Sequence, residues 1–288
     1  MLSLSVLISH NHVHLQVLGL EIDAINSVQF SNHTEYGKWK GQILSPEELG
    51  DLYEGLKMNQ IHNYTHLLTG YIGSKSFLLK VKDIIEEQRL NDPKLTYVCD
   101  PVMGDCGKMY LPQELLEVYK NDIIPLADIV TPNQFEAELL TDMKITDIES
   151  AKQAMMKLHS MGPKTVIISS LEFGSELDLF GCGSTITNGS PTMMQVHIPR
   201  LDAQFTGSGD LFTALLLAWL HKHSDDFQLA CGKAVSTMQH VLRRTLAHSK
   251  QAVLHPDTPS AGRMELRLIQ SASDIKDPQL CVDVQTLD

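Results

Sequence analysis

Apolar positions along the chain follow two periods in turn. Short runs rich in Val, Ile and Leu read as strands at residues 2–8, 21–30, 66–70, 95–99, 128–130 and 165–168, each closed by small or polar residues. Helical spacing separates several of them. Ser45-Pro46-Glu47-Glu48 is a capped helix start with proline at the first helical position, and Leu49, Leu52, Tyr53 and Leu56 form its apolar stripe. Residues 74–89 continue as a second helix. Repeated strand-helix-strand units predict an α/β fold with a central, mostly parallel sheet and helices on both faces. The untidy alternation of 21–30 fits a strand covered on both sides. From 171 to 204 the pattern changes to short Gly-rich strands, with 177–183 and 193–198 the best candidates. A helix over 226–249, a strand over 265–269 and an acidic tail complete the expectation. No Pro/Gly/Ser-rich linker interrupts the chain, so one domain over residues 1–288 is expected.

The most apolar helical stretch begins at Asp210-Leu211-Phe212 and is preceded by Phe205-Thr206-Gly207-Ser208-Gly209. Gly207, Ser208 and Gly209 bring bare amides close to a ligand. The helix behind them aims its unsatisfied N–H groups and partial positive end at the same point, which makes an anion site suited to phosphate. Asp210 has two readings. As a first-turn acid it complements the helix dipole; as a base it takes a proton from a hydroxyl that attacks the phosphate.

Other oxygen donors fall where strands end. Asp100 and Asp105 follow one strand, Thr131, Asn133 and Glu136 another, and Ser169 and Ser170 close a third. Each alone reads equally well as turn or cap chemistry. Repetition of the placement matters because parallel sheets bind ligands at the carboxyl ends of their strands. Asp100, Asp105 and Glu136 are hard donors suited to Mg²⁺, directly or through water.

Composition narrows the partners. The net charge of −12 argues against nucleic-acid binding, so any phosphate is held by amides, metal ions and a few local cations. The 5 cysteines are scattered and form no C-x-x-C pair, which points to a reducing, cytoplasmic setting. No segment is long and apolar enough to suggest a membrane span. His10, His12 and His14 would share one face of an extended chain; a partly exposed polar edge is the expected reading, with a metal site the lesser one.

The stretch Asp210 to Trp219, behind its glycines, resembles the signature of the ribokinase-like small-molecule kinases. Asn26 to Thr34, Leu68-Thr69-Gly70-Tyr71, Cys99 to Asp105 and Thr131 to Glu136 extend the resemblance, in order, to the pyridoxal kinase family. That resemblance implies ATP-dependent phosphorylation of the hydroxymethyl group of a vitamin B6 vitamer, with Asp210 as base. It implies vitamer contacts at Ser9, Phe30, Thr34 and Tyr71, and nucleotide contacts at Asp105, Asn133, Glu136, Ser170, Phe205 and Ser208. It further implies Mg²⁺ with ATP, Glu136 among the metal residues, a monovalent cation (K⁺ or Na⁺) at Asp100, Thr131 and Ser169, a lid ending at Tyr110, and a homodimer. Ser169 and Ser208 replace the family's usual threonine and keep the hydroxyl. Two departures stand out. Only Cys106-Gly107-Lys108-Met109 separates Asp105 from Tyr110, where the family has a longer covering loop. After Ser9-His10, the family's Gly-containing turn and the front of its first helix are missing, so residues 1–14 are atypical. The alternative is a catalytically impaired relative that binds nucleotide or pairs with a full-length subunit. Retention of Asp210 and its glycines favours the active kinase.

Overall fold

A computed structural model describes residues 3–7, 12–173, 178–251 and 260–287. Its centre is a nine-stranded sheet. Glu21–Ala24, Ser3–Leu7, His66–Thr69, Thr96–Cys99, Ile129–Val130 and Thr165–Leu171 lie side by side and parallel. Beyond Thr165–Leu171 the sheet turns antiparallel through Asp178–Thr187, Ser190–Pro199 and Asp283–Leu287. Helices cover both faces, as the strand-helix periodicity predicts. One face buries Leu49, Phe77, Leu78, Ile85, Leu115 and Met155, and the other buries Leu15, Leu211, Leu215, Trp219 and Val241.

Local chemistry explains the helix starts. Ser45 caps Pro46–Met58 and closes a reciprocal box with Glu48, each side chain bonding the other's backbone N–H. Ser74 caps Lys75–Asn91. Ser208–Lys222 differs, because residues Leu211 to Trp219 are buried on every side. A helix apolar all round belongs in the centre of the molecule, and this one carries Asp210 there.

Several expectations are corrected. Residues 21–30 are not one strand: Glu21–Ala24 joins the main sheet, while Val28–Phe30 leaves it to pair with Gly41–Ile43 in a separate hairpin. Leu52 is 49% exposed, so the stripe of its helix narrows to Leu49, Tyr53 and the half-buried Leu56. Residues 265–269 form no strand; a single parallel bridge joins Glu265 to Thr206, and a 3-10 turn begins at Ile269. Part of the acidic tail is the edge strand Asp283–Leu287. The histidine cluster is not an extended edge, since His12–Val17 is helical and His14 is completely buried. A helix places positions two apart on different faces, so His12 and His14 do not share one. His10 lies outside the described residues. None of the described helices is long and apolar enough to cross a membrane.

Candidate active site

Strand order gathers the site. Thr69, Cys99 and Val130 end adjacent parallel strands, and Thr165–Leu171 lies beside them. Gly70-Tyr71, Asp100, Thr131 and Ser169-Ser170 therefore meet along one carboxyl edge, although up to 100 residues separate them in sequence. A register shift between Ile168 and Leu171 bends the last strand where the two serines sit. The Ser169 amide donates to Pro132 O at 3.0 Å, holding this bend against the Thr131 turn.

Thr213 ties two of these ends to the phosphate-loop helix. Its hydroxyl donates to Asp100 Oδ2 at 3.1 Å and lies 2.9 Å from Thr131 Oγ1. Sequence reading missed Thr213. Its signal was a hydroxyl one helical turn after Asp210 in an otherwise apolar run.

Glu136 organises the neighbouring turn. Its Oε1 accepts from the Met103 amide at 2.8 Å and more weakly from Gly104, while Oε2 accepts from Asn133 N at 2.9 Å. Asn133 caps the same helix through the Glu136 amide, and its Nδ2 donates to Gly104 O at 2.7 Å. Both ends of the Asn133 amide are thus engaged within the protein. Gly104 permits this closeness, because a Cβ there would stand 2.3 Å from Lys108 O. Burial pushes the Glu136 carboxyl up to about 7, against the lowering pull of its three amide donors.

Asp100 is buried, and desolvation raises its carboxyl well above the usual range, with Glu136 and Asp210 adding repulsion. Asp210 is raised to about 7 by desolvation, although its residue keeps partial solvent exposure. These three acids therefore share a low-dielectric corner in which at least one negative charge is costly unless a cation joins them. Among the described residues no three His, Cys, Asp or Glu side chains form a complete metal cage.

The anion loop is open. Gly207 is the N-cap residue of Ser208–Lys222 in a left-handed conformation with φ 78°, which glycine tolerates. A Cβ built at Gly209 meets nothing within 4 Å, so the space beside the first turn at that position is free. Phe205 and Ser208 are half-buried beside it.

Other expected residues are more peripheral. Phe30 lies in the small hairpin with its ring 6.2 Å from that of Trp39. Thr34 is exposed at the start of the 3-10 turn Thr34–Tyr36. Tyr71 is 36% exposed, and its carbonyl accepts from Ser27 Oγ at 3.0 Å. Asp105 is exposed and caps its own turn by accepting from Cys106 N at 2.7 Å. Tyr110 is 54% exposed. The short lid is a two-residue hairpin, Gly104–Asp105 against Lys108–Met109, with Cys106 at φ 48° and Gly107 at φ 75°. Ser9 lies outside the described residues.

Fold and site together define a small-molecule kinase of the ribokinase-like class, built to hold a phosphoryl group at a helix N-terminus beside a desolvated acid. A phosphomethylpyrimidine kinase family model matches residues 63–255. Pyridoxal kinase of Homo sapiens is 50% identical over 285 residues, covering 95% of this chain and 91% of its own. The Arabidopsis thaliana pyridoxal kinase is 49% identical over 266 residues, with 92% and 85% covered. The structure of Leishmania donovani pyridoxal kinase in complex with ADP and pyridoxamine matches with a TM-score of 0.89 at 31% identity, over 99% of each chain. The chain belongs to the pyridoxal kinase family.

Proposed function

We propose that this chain transfers the γ-phosphoryl group of ATP to the 5′-hydroxymethyl oxygen of pyridoxal, pyridoxine or pyridoxamine. One observation carries the mechanism: a carboxyl raised to about 7 sits in the first turn of a helix that has open space beside Gly209, the residue before Asp210. A base poised near neutral pH combines the deprotonated state with enough basicity to accept a proton.

Asp210 takes the proton of the vitamer hydroxyl as its oxygen forms a bond to the γ-phosphorus. The bond from that phosphorus to the β,γ-bridging oxygen breaks, and ADP departs. Amides of Gly207, Ser208 and Gly209 face the charge that spreads over the transferring oxygens. Phe205, Ser170 and Ser208 flank the nucleotide, while Phe30, Thr34 and Tyr71 hold the vitamer, with Ser9 as the family match.

Mg²⁺ fits the donor set, because this ion binds through one or two carboxylates, waters and substrate phosphates rather than a full protein cage. Asp100 and Glu136 would hold it, Glu136 through water given its amide bonds, with Asp105 at the rim. When bound it neutralises phosphate charge. Asp100, Thr131 and Ser169 are the proposed monovalent-cation group. A single sheet drawing strands from residue 3 to residue 287 supports one kinase domain. The likeness to the Leishmania enzyme, solved with ADP and pyridoxamine, supports the substrate pair. A homodimer and a cytoplasmic setting complete the proposal; the 5 free cysteines are compatible with the latter.

A coupled assay with pyridoxal and MgATP tests the reading. Stoichiometric pyridoxal 5′-phosphate and ADP are expected. ATP binding without phosphorylated vitamer would favour the impaired-relative alternative.

A further inference from the structure

Glu265 touches both halves of the site at once. Its backbone forms the parallel bridge to Thr206, immediately before the left-handed Gly207 that starts the phosphate helix. Its side chain accepts a hydrogen bond from Tyr36 Oη. Tyr36 closes the 3-10 turn that begins at the vitamer-side residue Thr34, and the short helix Ser260–Arg263 packs on that same turn. The sequence interval between Tyr36 and Glu265 is 229 residues, so only the fold creates this junction.

The junction is anchored to rigid structure. Two residues past Glu265, the Arg267 amide donates to Thr245 Oγ1 at 3.0 Å, and Thr245 is fully buried in the long helix Phe227–Gln251. Arg244 of that helix also binds Ser271 Oγ at 3.0 Å. Glu265 is therefore held from behind, whereas Thr34–Tyr36 lies in the connection between the two strands of a hairpin outside the main sheet. The Tyr36 hydroxyl is pushed up to about 12 by burial and by Glu265, so it remains the donor at any working pH.

We infer that Tyr36 and Glu265 form a positioning latch that holds the vitamer-side turn in register with the phosphate loop, so that the vitamer hydroxyl is aimed at Asp210. Neither residue reaches the reacting atoms; both act by placing Thr34 relative to Gly207. The latch rests on the kinase reading above for its effect on turnover, but not for its existence.

Steady-state kinetics and thermal unfolding of Tyr36→Phe, Glu265→Ala, Glu265→Gln and the double variant Tyr36→Phe/Glu265→Ala test it. One lost hydrogen bond to a charged acceptor corresponds to about a tenfold effect or more. Tyr36→Phe and Glu265→Ala are expected to raise KM for pyridoxal by about this factor and lower kcat, with KM for ATP and Tm unchanged. Glu265→Gln keeps an accepting oxygen and restores most of the loss. The double variant should be no worse than either single one. Losses that multiply in the double variant, or a matching rise in KM for ATP, overturn the latch. So does a fall in Tm that tracks the kinetic loss.

If the wild-type protein does not phosphorylate pyridoxal, the kinase reading fails and acrylamide quenching decides the latch. Trp39, 47% exposed, stands three residues beyond Tyr36, whereas Trp219 is 4% exposed, so quenching reports chiefly on the former. Faster quenching in Tyr36→Phe and Glu265→Ala, but not in Glu265→Gln, supports the latch. Unchanged quenching overturns it.

Discussion

The phosphate side and the vitamer side of the site are built of different material. On the phosphate side Asp100, Thr131 and Glu136 are buried, and their oxygens are held by Thr213 and by backbone amides. On the proposed vitamer side Thr34 and Tyr71 are open to solvent, as is Tyr110 at the end of the lid, all in segments outside the main sheet. Buried, fully bonded groups resist displacement, so the phosphate machinery is organised before ligand arrives. Exposed turns gain order from what binds them. The first half should set the rate of chemistry, and the second should set vitamer affinity and the fidelity of transfer.

The largest test of that contrast is Asp210→Asn. Removing a general base costs about 10²–10⁴-fold in rate. We expect kcat to fall by about a thousandfold with nucleotide affinity intact or slightly tighter, because a repulsive charge next to phosphate is also removed. Near-normal single-turnover phosphorylation in this variant would take Asp210 out of the mechanism.

Gly209→Leu should fail in another way. The built Cβ position is unobstructed and Gly209 has no left-handed strain, so the protein should fold normally. A leucyl side chain projecting into this space holds phosphate away from the amides. Calorimetric titration is expected to show MgATP affinity reduced by about tenfold or more, a cost of about 1.4 kcal/mol. Unchanged affinity would mean that the open space is not the phosphate site.

The sequence made the phosphate half more legible than the other, for physical reasons. Strand ends, helix starts and glycines have local signatures, and Asp100, Thr131, Ser169 and Asp210 fall on them. What brings them together is strand order, which no local pattern encodes. Thr213 was overlooked because its role depends on two side chains 82 and 113 positions earlier. Residues 21–30 misled because apolar content continues through the point where the chain changes sheets. Leu52 belongs to the helical period, yet its face lies beyond the edge of what the sheet covers. The strands joined by the Asn188-Gly189 turn, with φ of 53° and 81°, are longer than the short ones expected there. Glu265 looked like part of a strand, and only one bridge of that strand exists.

Cys106-Gly107 makes a tight turn of the same positive-φ kind where the resemblance implies a longer covering loop. A two-residue turn has little reach over the bound phosphates, and poor exclusion of water lets ATP hydrolysis compete with transfer. We expect measurable ADP release in excess of pyridoxal 5′-phosphate formed, falling severalfold when a longer family-type loop replaces Cys106 to Met109. An equal ratio in both proteins would assign water exclusion to another segment.

The last expected effect, on stability and not on turnover, lies at the opposite end of the same sheet. His66 begins the strand that ends at Thr69, with its ring edge-on to His221 at 5.3 Å and Nδ1 2.9 Å from Thr65 Oγ1. Desolvation first and then the charge of His221 lower its pKa, against the opposing pull of Asp128, to about 4. Between pH 6.5 and about 4 the unfolded imidazole binds a proton that the folded one refuses. Because the unfolded state binds more protons there, stability falls as pH falls through that window, by about 2 kcal/mol at the acidic end, and is flat above it. His66→Phe keeps a ring against His221 and has nothing to protonate. Denaturant unfolding at pH 7.5, 6, 5 and 4.5 should show a shallower acid loss in His66→Phe, with kcat at pH 7.5 unchanged. Identical slopes in the two proteins would place the acid sensitivity elsewhere, and a loss of kcat at pH 7.5 would show that the two ends of the sheet are not independent.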